Sequence, residues 1–499
     1  MAYRQIKKYA FAYLSLPLLV FLLGYLKWYF GVPLALIVFF ALYCAMKEAN
    51  VLPERAQEIS VSQAMMLSLG VLILIWSYLG GLNGHFYQAS DWGWRNAIFH
   101  DMIDYPWAVR YPNGNALNYY IGFWLVPALF AKLGALLTGS RETAWEIARN
   151  ALWLWSAAGL YLTVLLIIIY NRASGKKQQL LSFLFFAFFS GLDILGALHY
   201  HQFFRFNPGI LHLDRWANTF QYSSITTCLY WVFNQTVLSW LAVMCFLFEK
   251  DEKNYLLIGL ACFVCGPLPF VGLVILMASR AIIRLVRNVR EGNTRDSLRA
   301  AFSTSNMLLI LTGFPVVALF FLSNSAVNAN ASRTRDMLIY LSDSAYLKRL
   351  VVFCALEFGV YVVLLWKRHA RDPLFYAIAV SLMIIPNIYV GPNIDFCMRA
   401  SIPGILVLCV YFSEYVLEKL FRWKEARIFD RACCTALLIV FLIGAATPCM
   451  EIYRGLYYVV TEKTVELEDN SVGSVSQTNN GNCIAFDCEN MFFFQYLAR

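Results

Sequence analysis

The chain has 499 residues, 60% of them hydrophobic and 14% charged, with a formal net charge of +9. Soluble domains carry about 25% charged residues, so composition alone excludes an ordinary water-soluble globule. The basic residues lie in short segments between long apolar runs, which is how a membrane protein is oriented; no nucleic-acid partner is expected.

A helix crosses the hydrocarbon core with roughly 20 consecutive apolar residues. Such runs are predicted at 10–26, 29–45, 61–82, 148–170, 180–198, 226–248, 306–323, 349–366, 374–391, 401–420 and 432–448. The first is not a cleavable signal, because no small-x-small site follows it and a second apolar run does. Two further stretches resist a simple crossing. Residues 116–137 are apolar but carry Tyr119, Tyr120, Pro127 and Lys132, which suits a helix lying along the membrane surface. Residues 255–278 are split by Gly266-Pro267-Leu268-Pro269. Proline removes a helix hydrogen bond and disfavours helical geometry before it, so two short helices that enter and leave on one side are expected. Counting these two stretches, the fold class is an all-α polytopic transmembrane bundle of about 11–13 membrane helices.

With that arrangement 24 of the 40 Lys and Arg fall on one side. They occupy the N-terminus, the loops near 47–55, 172–177, 250–253 and 367–371, the segment 280–299 and the loop 419–431. The positive-inside rule makes that side cytoplasmic. A bacterial inner or plasma membrane is expected, with the N-terminus cytoplasmic and the C-terminus outside. The chain then divides into a transmembrane domain, 1–448, and a short outer tail, 449–499. The tail has a Ser/Asn/Gly-rich middle, expected to be flexible, and an aromatic end (Asn490 to Arg499) suited to docking on the bundle. Cys483 and Cys488 in the tail either pair in an oxidising compartment or stay free.

The outer segment 83–147 is the most informative. It crowds Asp91, Arg95, His100, Asp101, Asp104 and Arg110 among aromatics just after the third span. A carboxylate at that depth, shielded by Trp92 and Trp94, suits a general base or a metal ligand. On a helix, His100 and Asp104 share a face. Asp91, His100 and Asp101 are the candidate catalytic groups; Asp91, His100 and Asp104 are the candidate ligands for a divalent ion such as Mg or Mn. The competing readings are a helix cap for Asp91 and a solvated polar face for the others.

Further outer groups complete the set. His199, His201 and Arg205 lie in a second cluster that continues to His212 and Asp214. They suit substrate contact or anchoring at the interface. Asp395 and Arg399 sit four apart in a short loop. The guanidinium fork suits a lipid-linked phosphate, against an internal ion pair with Asp395. Arg95, Tyr119 and Tyr120 would line the substrate groove. Asp193, near a span end, is a secondary candidate, as a carboxylate there faces a cavity or partner.

The order Asp91, then YPNGNALNYYIGFWLVPALFAKLGALLTG, then Arg149-Asn150 resembles the GT-C superfamily of membrane glycosyltransferases. So does the broken hairpin followed by a basic loop. Asp91-Trp92 stands where that family has paired acidic residues, and YPNGN where it has an HPPL-like motif. The resemblance implies a juxtamembrane helix in the first large outer loop. It implies transfer of a sugar from a polyprenyl-phosphate donor to an acceptor at the outer face. Asp91 would take the acceptor's proton, and Arg399 or Arg205 would hold the donor phosphate. The partners would be the lipid-linked sugar donor and membrane lipids. The competing classes are a transporter or lipid flippase, which would want inverted repeats and mid-span charges such as Glu357, and a non-catalytic membrane protein.

Overall fold

The computed structural model describes residues 3–48, 59–200, 212–325, 343–388, 390, 394–463, 473–478 and 481–499. In chain order its helices are α1 (Tyr3–Tyr25), α2 (Trp28–Glu48), α3 (Gln63–Tyr78), α4 (Trp92–Asp104), α5 (Gly122–Thr138) and α6 (Arg141–Tyr170). Next come α7 (Lys176–Ala187), α8 (Asp193–His199), α9 (Ile225–Phe248), α10 (Tyr255–Cys265), α11 (Pro267–Arg290) and α12 (Thr294–Ala301). The last are α13 (Thr304–Leu322), α14 (Ser344–His369), α15 (Pro373–Asn387), α16 (Asp395–Ala400), α17 (Ile402–Phe421) and α18 (Ile428–Glu462). Two short strands, β1 (Ala116–Leu117) and β2 (Ile484–Ala485), pair antiparallel, Ala116 with Ala485 and Leu117 with Ile484. Among the described residues eight helices are long and apolar enough to cross a membrane: α1, α2, α6, α9, α11, α13, α14 and α18. The all-α, multi-pass architecture expected from composition is what the chain adopts.

Contacts define two ends of the bundle. At the basic end Lys7 bonds Glu249 at 2.7 Å. Arg280 donates to the carbonyls of Phe246 (2.9 Å) and Glu249 (2.5 Å), capping α9, and Arg284 pairs with Glu252 at 2.8 Å. At the opposite end the start of α2 meets the tail: Lys27 N–H donates to Leu497 O and Arg499 N–H to Tyr25 O, both at 2.9 Å. Asn118 donates to Phe320 O, and Asn324 to Asn118 O and Asn482 O. The aromatic tail end therefore seats on the bundle, Phe493 and Phe494 fully buried beside Phe21 and Phe320. Cys483 and Cys488 are both free and buried.

Helices α10 and α11 form a hairpin broken at Gly266 as expected, but α11, with 24 residues, is not a short arm and is itself long and apolar enough to cross a membrane. Both of the hairpin's charged flanks bond at the basic end, through Arg280 and Arg284. Its tip abuts the start of α5: a methyl on Gly122 would overlap Val264 O. The stretch 116–137 is less a free surface helix than one arm of a second hairpin. Gly139 adopts φ +64 at its end, and Gly134 packs on Ile147 of α6. One side of α5 is apolar and exposed at Phe130, Leu136 and Leu137. Lys132 does not face outward; its ammonium ties down the end of α4 through Ile103 O (2.9 Å) and Tyr105 O (2.6 Å).

The apolar run 180–198 is not one span. Helix α7 stops at Ala187 and α8 starts at Asp193. The break makes room for Glu357, whose carboxylate a side chain on Gly191 would overlap, and lets Gly444 pack on Ser190 O. The freed backbone groups are taken up by neighbours. Leu192 N–H donates to Leu356 O (3.0 Å), a carbonyl within the π-helical turn Ala355–Gly359, and Tyr361 donates to Ser190 O. Broken backbone inside a membrane bundle persists where protein satisfies it in this way.

Candidate active site

Asp91 starts α4 but makes no side-chain cap bond. Its carboxylate is instead 3.1 Å from Arg95, one turn on, and remains 56% exposed. Arg95 is buried between the rings of Trp92 (5.7 Å) and Phe233 (6.0 Å). Trp92 itself stacks on Phe233 at 4.9 Å, one residue past the non-helical Val232 that kinks α9. Cation–π contact with two rings pins the guanidinium plane.

Arg399 on α16 repeats the motif. It bonds Asp395, four residues earlier, at 2.5 Å, and is buried while Asp395 is 46% exposed. Helix α16 sits on α11 at Gly272, where a methyl would overlap Ala400 O. Tyr119 and Tyr120 stack on one another at 4.5 Å, and Tyr119 feels both arginines. The charges reach one another: Arg399 repels Arg95, and both draw on Tyr119. Burial, and then that repulsion, holds Arg95 below its ordinary value although Asp91 raises it. Burial also works against the charge of Arg399, but Asp395, Tyr119 and Tyr120 outweigh it and hold the guanidinium above its ordinary value. Arg95 Nη1 and Arg399 Nε are buried and have no partner among the described residues. Each of these buried guanidinium groups thus has one acid partner and one N–H without a partner among the described residues.

The other predicted groups are placed elsewhere. Asp101 is buried and accepts from Tyr111 Oη (2.6 Å) and Val475 N–H (2.9 Å). Burial pushes its carboxyl up in spite of those bonds. It anchors the tail and is not brought to Asp91. His100 stacks on Trp145 at 3.6 Å, and its burial lowers its basicity. Asp104 is paired with Arg141. Asp91, His100 and Asp104 each have a different partner, and no group of three His, Cys, Asp or Glu converges as a metal set among the described residues. His199 is exposed and edge-on to Tyr200 at 4.9 Å, and it does not join the buried groups of the second cluster. His201 and Arg205 lie outside the described residues.

That second cluster is a buried polar nest. Asp193 accepts from Ser190 (2.6 Å) and Thr447 (2.7 Å), and the Glu357 carboxylate lies against Gly191 beside it. Trp216 donates to Glu357 at 2.7 Å. Asp214 accepts from Ser223 and Gln221. Glu451 accepts from Trp231 (2.8 Å) and Arg454 (2.6 Å), with His212 at 3.7 Å. Sequence reasoning missed Glu451 and Arg454 because they fall just past a predicted span end. The signal was there in the E-x-x-R spacing three residues after Pro448. Glu451 and Arg454 share a cleft of about 20 Å³ with Trp92, Tyr87 and Trp231, room for about one water.

Comparison with protein-family models, curated proteins and solved structures finds no match. The chemistry is therefore read from the side chains alone. One face of α4 carries an exposed carboxylate held by a buried arginine, and an arginine on α16 with a free N–H acts on the same tyrosine, Tyr119.

Proposed function

We propose that the chain is an integral membrane glycosyltransferase that moves a sugar from a polyprenyl-phosphate donor to an acceptor hydroxyl. The observation that carries this reading is that Arg95, bonded to Asp91, and Arg399 both act on Tyr119 and each keep a buried N–H without a partner among the described residues. Buried guanidinium N–H groups left unspent cost about 1–3 kcal/mol each, which phosphate oxygens would recover. In the reaction the acceptor oxygen attacks the anomeric carbon, the carbon–oxygen bond to phosphate breaks, and polyprenyl phosphate leaves with the bonding pair. Asp91 accepts the acceptor's proton. Its bond to Arg95 engages one oxygen, Oδ2, and fixes the carboxylate's direction. Arg95 and Arg399 stabilise the charge that grows on the leaving phosphate. The stacked tyrosines give the sugar or the first isoprene unit an aromatic wall.

Asp91→Asn keeps the size of the side chain and removes its basicity. With purified protein and a radiolabelled polyprenyl-phosphate sugar, product formation should fall by at least about a hundredfold, the lower end of general-base catalysis. Near-normal turnover by a correctly folded variant would end the assignment. A second reading, a proton-coupled flippase for the same lipid phosphate, is favoured by the buried carboxyl groups of Asp193 and Glu357 inside the bundle. It predicts the reverse pattern: lipid movement in vesicles lost in Glu357→Gln and retained in Asp91→Asn, with no sugar transferred.

A further inference from the structure

A cavity of about 540 Å³ lies at the basic end, far along α11 from Gly272 and Arg399. Its walls include Tyr255, Lys250, Arg280, Arg284, Arg287 and Asp372. That volume is within the range of pockets that hold small ligands, about 300–1,000 Å³. Its acids are already engaged. Glu249 bonds Lys7 and Asn254. Asp372 accepts from Tyr411 (2.7 Å) and caps α15 at Leu374 N–H. Two of its cations are spent on protein: Arg280 on the end of α9 and Arg284 on Glu252. Lys250 and Arg287 are exposed and bond nothing among the described residues. The wall thus offers unspent positive charge inside a shaped polar cavity.

The last turns of α11 say where an occupant comes from. Arg280, Arg284 and Arg287 recur at spacings of four and three on the cavity side. Ile282, Val286 and Val289 recur at the same spacing, offset by two residues and so on the opposite face, and are 61%, 47% and 55% exposed. Such a helix has lipid tails against one face and headgroups within reach of the other. Basic pockets between helices at a membrane boundary take phosphate headgroups.

We propose that this cavity binds the phosphate of an anionic membrane lipid, with Lys250 and Arg287 as its contacts and Tyr255 beside them. The proposal is independent of the glycosyltransferase reading. The test uses the full chain in nanodiscs of phosphatidylcholine doped with phosphatidylglycerol. Phosphatidylglycerol carried through purification is measured by native mass spectrometry, and protein stability by thermal shift. Retention should fall roughly fivefold for each cation removed in Lys250→Gln and Arg287→Gln, and further in the double variant. Both side chains are exposed, so the variants should fold. Arg295→Gln with Arg299→Gln, equally charge-reducing and outside the cavity, should retain the lipid. Equal loss in both double variants would mean diffuse attraction and would overturn the site. Inorganic phosphate reproducing the thermal shift without lipid would overturn the lipid source, and no enrichment over phosphatidylcholine would overturn both.

Discussion

Arg399 shows how one side chain can be both paired and available. Asp395 engages Nη1 and Nε stays unspent. Arg399→Lys keeps a charge but loses the fork, so donor affinity should weaken by about 1.5–3 kcal/mol. Asp395→Asn should cost less, because the bound phosphate would still neutralise the arginine. Equal loss of stability in both variants, with donor binding unchanged, would return the pair to a purely structural role. Asp214 makes a different kind of prediction. Burial, and then the charges of Glu451 and Asp193, push its carboxyl up to about 6. In the unfolded chain an Asp titrates near about 3.9. The folded state thus holds the proton more firmly, so this group's contribution to stability is full below about pH 4 and is lost as pH rises through about 6. Thermal unfolding in detergent across that window should show a decline that Asp214→Asn flattens. Parallel profiles for the two proteins would show that another group governs the slope.

At the scale of elements, glycines decide how closely the site is assembled. Gly272 of α11 lets α16 lie against it, with Ala400 O filling the space a methyl would take. Gly272→Ala must push α16 away, and Arg399 with it. Overpacking of this kind costs about 1–3 kcal/mol, and donor affinity should fall with stability, although the variant touches no substrate. A stable variant with unchanged donor affinity would show that α16 shifts without moving Arg399. The elements were unevenly legible in the sequence. Gly266-Pro267 announced the α10–α11 hairpin because proline has a local steric consequence that no tertiary contact removes. The break between α7 and α8 gave no such signal. Its cause is Glu357, more than 150 residues away, which needs Asp193 and the space at Gly191. Asp91, Arg95 and Arg399 were recognisable as charged residues at span ends. That Arg95 and Arg399 both act on Tyr119, and that Asp101 turns to the tail, depends on packing that residue type does not encode.

For the whole molecule, the tail is part of the fold at the site end. Asp101 holds Val475, β2 pairs with β1, and Arg110 donates to Phe494 O and Arg499 O. Asp101→Ala leaves the Tyr111 hydroxyl and the Val475 N–H without their acceptor, each at about 1–3 kcal/mol. Melting temperature should fall and proteolysis of the tail should quicken, while turnover per folded molecule holds. A loss of turnover at unchanged stability would restore Asp101 to the chemistry.

The α10–α11 hairpin has a consequence for biogenesis. Its tip, Gly266-Pro267-Leu268-Pro269, carries no charge, and Lys250, Lys253 and the arginines from Arg280 onward all flank it at one end of the bundle. A unit whose charges all lie at one end can enter a bilayer from that end with no hydrophilic segment carried across. Charges that never have to be translocated impose no insertion barrier, however many the flank accumulates. Arg280, Arg284 and Arg287 can therefore line the basic cavity from a flank that such an entry leaves in place.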